Sequence, residues 1–148
     1  MFEFRKKINI KCNIDDIFRF HLNPENINVI SPPGLNAKIV SITDKPLKSG
    51  SVVKLEVSQL GIKSIWVIEI VEYSYPRVIC DQQRSGFFNY WKHYHIFEVA
   101  GDEVEMTDKV ILKPPLGLLG YMAYPAIWLG LSFMFRYRHY KTKKVLEK

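Results

Sequence analysis

Residues 114–148 read PPLGLLGYMAYPAIWLGLSFMFRYRHYKTKKVLEK, and the fold turns on whether this stretch lies in lipid or in a protein core. No formal charge occurs from Pro114 to Phe135, a run of roughly 22 residues and long enough on paper to span a bilayer. Pro125 has no N–H and disfavours helix at Tyr124, so a long helix is expected to start near Pro125. Gly117 and Gly120 suit a turn or a short helical piece ahead of it. Only about ten uninterrupted apolar residues then remain, 126 to 135, short of a comfortable span. Ile127, Trp128, Leu131, Met134, Phe135, Arg138, Thr142, Val145 and Leu146 fall at helical spacing, with Arg136, His139, Lys141 and Lys143 off that stripe. A lipid-spanning helix has no use for a stripe in its charged end, whereas a helix packed along a sheet does. The stretch is therefore read as a core helix with a solvated basic end, against the competing reading of a C-terminal membrane anchor.

Upstream of it, Phe2 to Lys11 alternates as a half-buried strand, with Phe2, Phe4, Ile8 and Ile10 between charged residues. Asn13 is a plausible N-cap, Asp15 and Asp16 favour a first helical turn, and Ile14, Ile17, Phe18 and Leu22 give one apolar face. A second short helical piece is expected from Pro24 to the Ser31-Pro32-Pro33-Gly34 loop. From Leu35 to Lys113 the pattern is strand after strand, with turns at Asp44-Lys45-Pro46, Gly50, Gly61, Ser74-Tyr75-Pro76, Ser85-Gly86 and Gly101-Asp102. Strands joined by short turns, with helices segregated to the ends, predict an α+β fold: a curved antiparallel sheet of seven strands covered by the long C-terminal helix. The length fits one domain, residues 1–148.

The net charge of +6 is concentrated. From Arg136 onward six Lys/Arg face one Glu, and the remaining 15 basic and 14 acidic groups nearly cancel. That excludes a broad basic face for nucleic acid. The tail is read as a solvated helix end whose cations suit the C-terminal dipole, with peripheral contact to anionic lipid as the other reading. Cys12 and Cys80 make no disulfide framework and read as free thiols. The start MFEFRKKINIKC has charges and no apolar run, so no signal peptide is expected and the cytoplasm is the expected compartment.

The densest chemistry lies at Ser85-Gly-Phe-Phe-Asn-Tyr-Trp-Lys-His-Tyr-His-Ile-Phe97. Period two puts Trp91, His93, His95, Phe97 and Val99 on one face, expected to point inward. The next strand places Val104, Met106, Asp108, Val110 and Leu112 inward. Two histidines and an aspartate then share the inner side of adjacent strands. Three readings compete: a metal site, general acid–base chemistry by a His–Asp pair, and a polar patch in an apolar cavity that orients a ligand or satisfies itself. HxH on a strand is a weak metal signal and no further cluster supplies a third strong ligand, so neither metal nor cofactor is expected. His21 at a helix end and His139 off the stripe leave His93 and His95 as the inward histidines. No Gly-rich phosphate loop, GxSxG motif or reactive-cysteine context occurs.

With Asp81-Gln82-Gln83, Ser85-Gly86-Phe87, Trp91-Lys92-His93-Tyr94-His95-Ile96-Phe97, Thr107-Asp108-Lys109-Val110, Pro115-Leu116-Gly117 with Gly120, and Phe135-Arg136-Tyr137-Arg138, the chain resembles the START/Bet v 1-like (SRPBCC) superfamily. Within it, the similarity is to small bacterial ligand-binding proteins near the polyketide cyclase/dehydratase and lipid-transport group. One departure is Ser-Gly-Phe at 85–87, where the pattern leads one to expect Gly-Pro-Phe. The resemblance implies a helix-grip fold and a hydrophobic cavity that binds lipids, sterols, polyketides or other apolar molecules, usually without a cofactor. The expected lining is Trp66, Ile68, Trp91, His93, His95, Phe97, Met106, Trp128, Leu131 and Phe135, with Asp108 as inner polar partner. A cyclase or dehydratase using His93 or His95 with Asp108 is the alternative, and a membrane-associated protein held by its C-terminal segment is the second alternative.

Overall fold

The computed structural model describes residues 1–147. In chain order the elements are β1 (Phe2–Ile10), α1 (Ile14–Leu22), α2 (Asn26–Ile30), β2 (Leu35–Ile42), β3 (Val52–Gln59), β4 (Ile62–Ser74), β5 (Val78–Ser85), β6 (Tyr90–Ala100), β7 (Glu103–Lys113), α3 (Gly117–Met122) and α4 (Tyr124–Leu146). This is the expected order, with α3 as the short piece before the long helix. The strands form one antiparallel sheet in the order β1-β7-β6-β5-β4-β3-β2. From β2 to β7 each strand lies beside its neighbour in sequence, and β1 closes the sheet against β7. Register shifts at Ile39/Ser41, Val67/Ile68 and Ile70/Glu72 are bulges that bend their strands and curve the sheet.

Local chemistry sets the helices. The Asn13 side chain accepts from the Asp15 N–H at 2.7 Å and caps α1, whose Ile17, Phe18 and Leu22 are buried. Ahead of α3, Leu116 adopts the left-handed conformation (φ 63°) and turns the chain back on Pro114-Pro115. A Cβ at Gly120 would lie 1.9 Å from the Pro115 carbonyl oxygen, so only glycine permits that close return. Pro125 sits in the first turn of α4, where its missing N–H costs nothing.

The interior has two apolar clusters. One gathers Ile10, Ile17, Phe18, Leu22, Ile79, Phe97, Val104 and Met106 beneath α1. The other gathers Phe4, Trp91, Val110, Leu112, Leu131 and Phe135 beneath α4, and Trp66 packs against both. Among the described residues no helix is long and apolar enough to cross a membrane.

Four sequence-based placements are corrected. The buried line of α4 is Leu131, Phe135, His139 and Thr142, so His139 lies on the packed face and not off it. Hydropathy ranks an imidazole as polar, but a carboxylate on the facing sheet satisfies it there. Trp128, expected to line a cavity, is 46% exposed. The first turns of α4 run along β1, an edge strand: Tyr124 stacks on Phe2, and Trp128 meets Phe4 only edge-on, with centroids 6.4 Å apart. Val145 at the other end is exposed as well. Val99, expected inward, is 66% exposed because it stands two residues before the Gly101 turn, beyond the covered part of β6.

Candidate functional site

The alternation of β6 and β7 carries His93, His95 and Asp108 to the concave face. In the strand register His95 stands opposite Asp108, and His93 stands between Val110 on β7 and Asp81 on β5. Register partners in an antiparallel pair project to the same side, so these side chains meet at the boundary between the two apolar clusters.

Asp108 is the centre. Its side chain is 4% exposed. One carboxylate oxygen, Oδ1, accepts from His93 Nε2–H at 2.7 Å. The same oxygen lies 2.9 Å from His95 Nδ1, at ion-pair distance but out of line for a hydrogen bond. The other oxygen, Oδ2, accepts from His139 Nε2–H at 2.5 Å, which ties α4 to the sheet. His21, at the end of α1, donates from Nδ1 to the Ile17 carbonyl at 2.8 Å and lays its ring 4.8 Å from that of His95. Three of the four histidines of the chain therefore face one carboxylate, and the fourth, His21, packs against His95.

Electrostatics divides the ring set. Burial opposes charge on Asp108, but the hydrogen bonds from His139 and His93 and the close approach of His95 prevail and hold its carboxyl well below the ordinary value. Burial likewise opposes charge on His95, yet Asp108 and Asp81 more than compensate and push it up to about 9. His93 moves the other way, lowered by burial and then by the charge on His95. His21 falls to about 3, from burial first and His95 second. The cluster thus holds an ionised Asp108 against a cationic His95, with the imidazoles of His21 and His93 kept neutral beside them. Arg138 brings its guanidinium beside the cluster over the Phe135 ring, 5.7 Å from the ring centroid.

Of the residues expected at the site, Trp91, His93, Phe97, Met106, Asp108, Leu131 and Phe135 are buried, while His95, Trp66 and Ile68 are partly so. They do not enclose a large cavity. Phe135 fills the space beneath α4, in contact with Phe4 and His93 (centroids 5.4 and 5.2 Å). What remains there is a void of about 20 Å³, lined by His21, His93, His95, Asp108, Arg138, His139 and Thr142 among others. That is room for about one water molecule. Arg138 Nε, His139 Nδ1 and Thr142 Oγ1 line it and have no hydrogen-bond partner. An open recess of about 420 Å³ lies between the Ser31–Lys38 segment and Tyr137 of α4. The sequence reading missed His139, His21, Arg138 and Asp81 as members of the site. For Asp81 a signal existed: period two from buried Ile79 puts Asp81 on the same face.

No family model matches the chain, and no curated protein does. Solved structures do match over nearly its whole length. Protein CV1439 of Chromobacterium violaceum is 12% identical, covers 99% of this chain and 97% of its own, and superposes with a TM-score of 0.77. A START superfamily protein of Mycobacterium smegmatis is 12% identical, covers 97% and 98%, and gives 0.73. The major latex-like protein 151 of Panax ginseng is 14% identical, covers 97% and 96%, and gives 0.68. At these identities the likeness is one of fold, and with the seven-stranded curved sheet, the short helices and the long C-terminal helix it identifies the chain as having the helix-grip fold of the START/Bet v 1-like superfamily.

Proposed function

We propose that residues 1–148 act as a single helix-grip domain that binds a small hydrophobic molecule or lipid with one polar end. The apolar body would sit between the sheet and α4, against Trp66, Ile68, Trp91, Phe97, Met106, Leu131 and Phe135. The polar end would be read by His93, His95 and Asp108. The observation that carries this is a set of converging, partly unpartnered polar atoms around a water-sized void inside an otherwise apolar interior. Buried polar atoms without partners favour a guest that supplies them. Proteins of this fold typically bind hydrophobic ligands, which supports the same reading. Because the void is small, the apolar body enters only if side chains beneath α4 yield. The test is mass spectrometry of organic extracts of the purified protein, together with titration by a fluorescent fatty acid. A bound organic molecule or saturable uptake is expected; neither extractable ligand nor uptake sinks the reading.

The acid–base alternative, a cyclase or dehydratase, keeps one specific support: the 2.7 Å hydrogen bond from His93 to Asp108 fixes the imidazole as a catalytic base would need. Under it, His93→Gln should lose about 10²-fold in rate with ligand affinity nearly intact. We also propose peripheral membrane contact through the C-terminal region. Leu118, Leu119, Met122, Leu129 and Phe133 are exposed on the outer faces of α3 and α4. No acidic residue occurs from Lys109 to Leu146, a stretch rich in Lys and Arg. Co-sedimentation with anionic but not zwitterionic vesicles is the expected result, and equal binding to both, or to neither, refutes it.

A further inference from the structure

A second carboxylate, Asp81, faces the same two imidazoles from the side away from Asp108. Asp81 Oδ2 lies 3.5 Å from His93 Nδ1 and 3.6 Å from His95 Nε2. These are the ring nitrogens opposite the ones that address Asp108. His93, kept neutral by burial and by the charge on His95, donates its Nε2–H to Asp108, which leaves its Nδ1 a bare lone pair. A lone pair and a carboxylate oxygen facing each other at 3.5 Å share no proton and repel, unless a cation lies between them. From the positions of Asp81, His93 and His95 we infer a binding site for a first-row divalent metal ion such as Zn²⁺, with these three side chains as ligands and the ion displacing the proton from His95 Nε2 to solvent.

Three features support this. The two carboxylate–imidazole separations fit: metal bonds of about 2.0–2.2 Å in tetrahedral arrangement put neighbouring ligand atoms about 3.3–3.6 Å apart. One donor atom from each of the three residues lies within 4.8 Å of the other two. The scaffold is rigid, since Asp81 and His93 are direct cross-strand partners and His95 follows two residues along the same strand face. The outer shell is built as well. Asp108 holds the far nitrogen of His93 and lies close to that of His95, the carboxylate–histidine arrangement that orients metal-bound imidazoles and raises their basicity. Asp81 and His95 keep 14% and 17% of their side-chain surface exposed, so the site is not sealed. Three protein ligands leave a coordination position for water or a ligand oxygen, the pattern of an exchangeable site. The site stands independently of the organic-ligand reading.

The test uses the full chain, stripped with chelator and titrated with Zn²⁺ by calorimetry with no organic ligand present. Expected is one ion per chain, with affinity reduced at least tenfold in Asp81→Ala and in His95→Ala. Asp108→Asn should weaken binding about 10- to 100-fold through the outer shell. Asp102→Asn, an exposed carboxylate in the β6–β7 turn, should leave it unchanged. Should Asp81→Ala fail to fold, Asp81→Asn, with the same shape at a partly exposed position, decides the matter by the same loss. Co²⁺ substitution should give visible absorption bands that vanish in the Asp81 variant. Absence of Zn²⁺ binding by the wild-type chain overturns the inference, leaving a proton on His95 as the cation that holds the cluster together. Equal affinity and stoichiometry in a folded Asp81 variant overturns it too.

Discussion

Replacing Phe135 by Ala should separate a packed interior from a pre-formed cavity. Phe135 is 1% exposed, touches Phe4 and His93, and carries Arg138 over its ring. Truncating a phenylalanine so enclosed costs about 3–5 kcal/mol, from lost transfer energy and from the cavity left behind. For a chain of this size about 2–4 °C of Tm accompanies each kcal/mol, so the midpoint should fall by roughly 6–20 °C. Urea denaturation should show the loss as a lower midpoint with the slope kept. The new void joins the existing one of about 20 Å³ next to the polar cluster. An apolar guest with a polar end then gains room, and saturating it at 100 times Kd should restore about 2.7 kcal/mol. A loss below about 1 kcal/mol would show that Phe135 already faces open space, and the account of a filled interior would be wrong.

Further outcomes follow from the same geometry. Asp108→Asn keeps the shape but removes the charge that three imidazoles face, and should destabilise by about 3–5 kcal/mol by urea denaturation. A loss of a few tenths would mean that the cluster is solvated and not buried. Gly120→Ala drives a methyl into the Pro115 carbonyl and should cost about 1–3 kcal/mol, whereas Gly130→Ala, where a Cβ meets nothing, should be neutral or stabilising. Burial, reinforced by Asp16 and Glu147, raises the Cys12 thiol to about 11, and burial with Asp81 raises Cys80 to about 12. Both stay protonated near pH 8, so alkylation of the native protein should be slow there and quicken only as pH approaches 11. Rapid labelling at pH 8 would contradict their placement.

The strands were legible because period two is a local signal, strong in Val52–Gln59 and in Tyr90–Ala100. The sheet order from β2 to β7 was legible because short turns leave consecutive strands little choice but to pair. Asp108, His93 and His95 could be placed from alternation alone. His139 could not, since its burial depends on a partner 31 residues away that becomes visible only when α4 is laid over β7. His21 and Arg138 were hidden for the same reason, being polar residues made acceptable by tertiary neighbours. The filled interior was also out of reach. Periodicity says which side chains point inward, and their volumes say nothing of how closely the sheet closes on the helix.

The pairing of β1 with β7 has a kinetic consequence. Phe2 meets Leu112, so the first strand made during synthesis cannot pair until the last strand is available. The other five pairings join strands that follow one another in sequence and need only short loop closures. The sheet should therefore assemble as a growing meander from β2 to β7, with the N-terminal strand left as a tether. Its docking then supplies Phe2 and Phe4, the rings on which Tyr124 and Phe135 rest, so the long helix settles last. Pulse-labelled amide exchange should protect β3–β6 before β1, and simultaneous protection would point to a single concerted collapse.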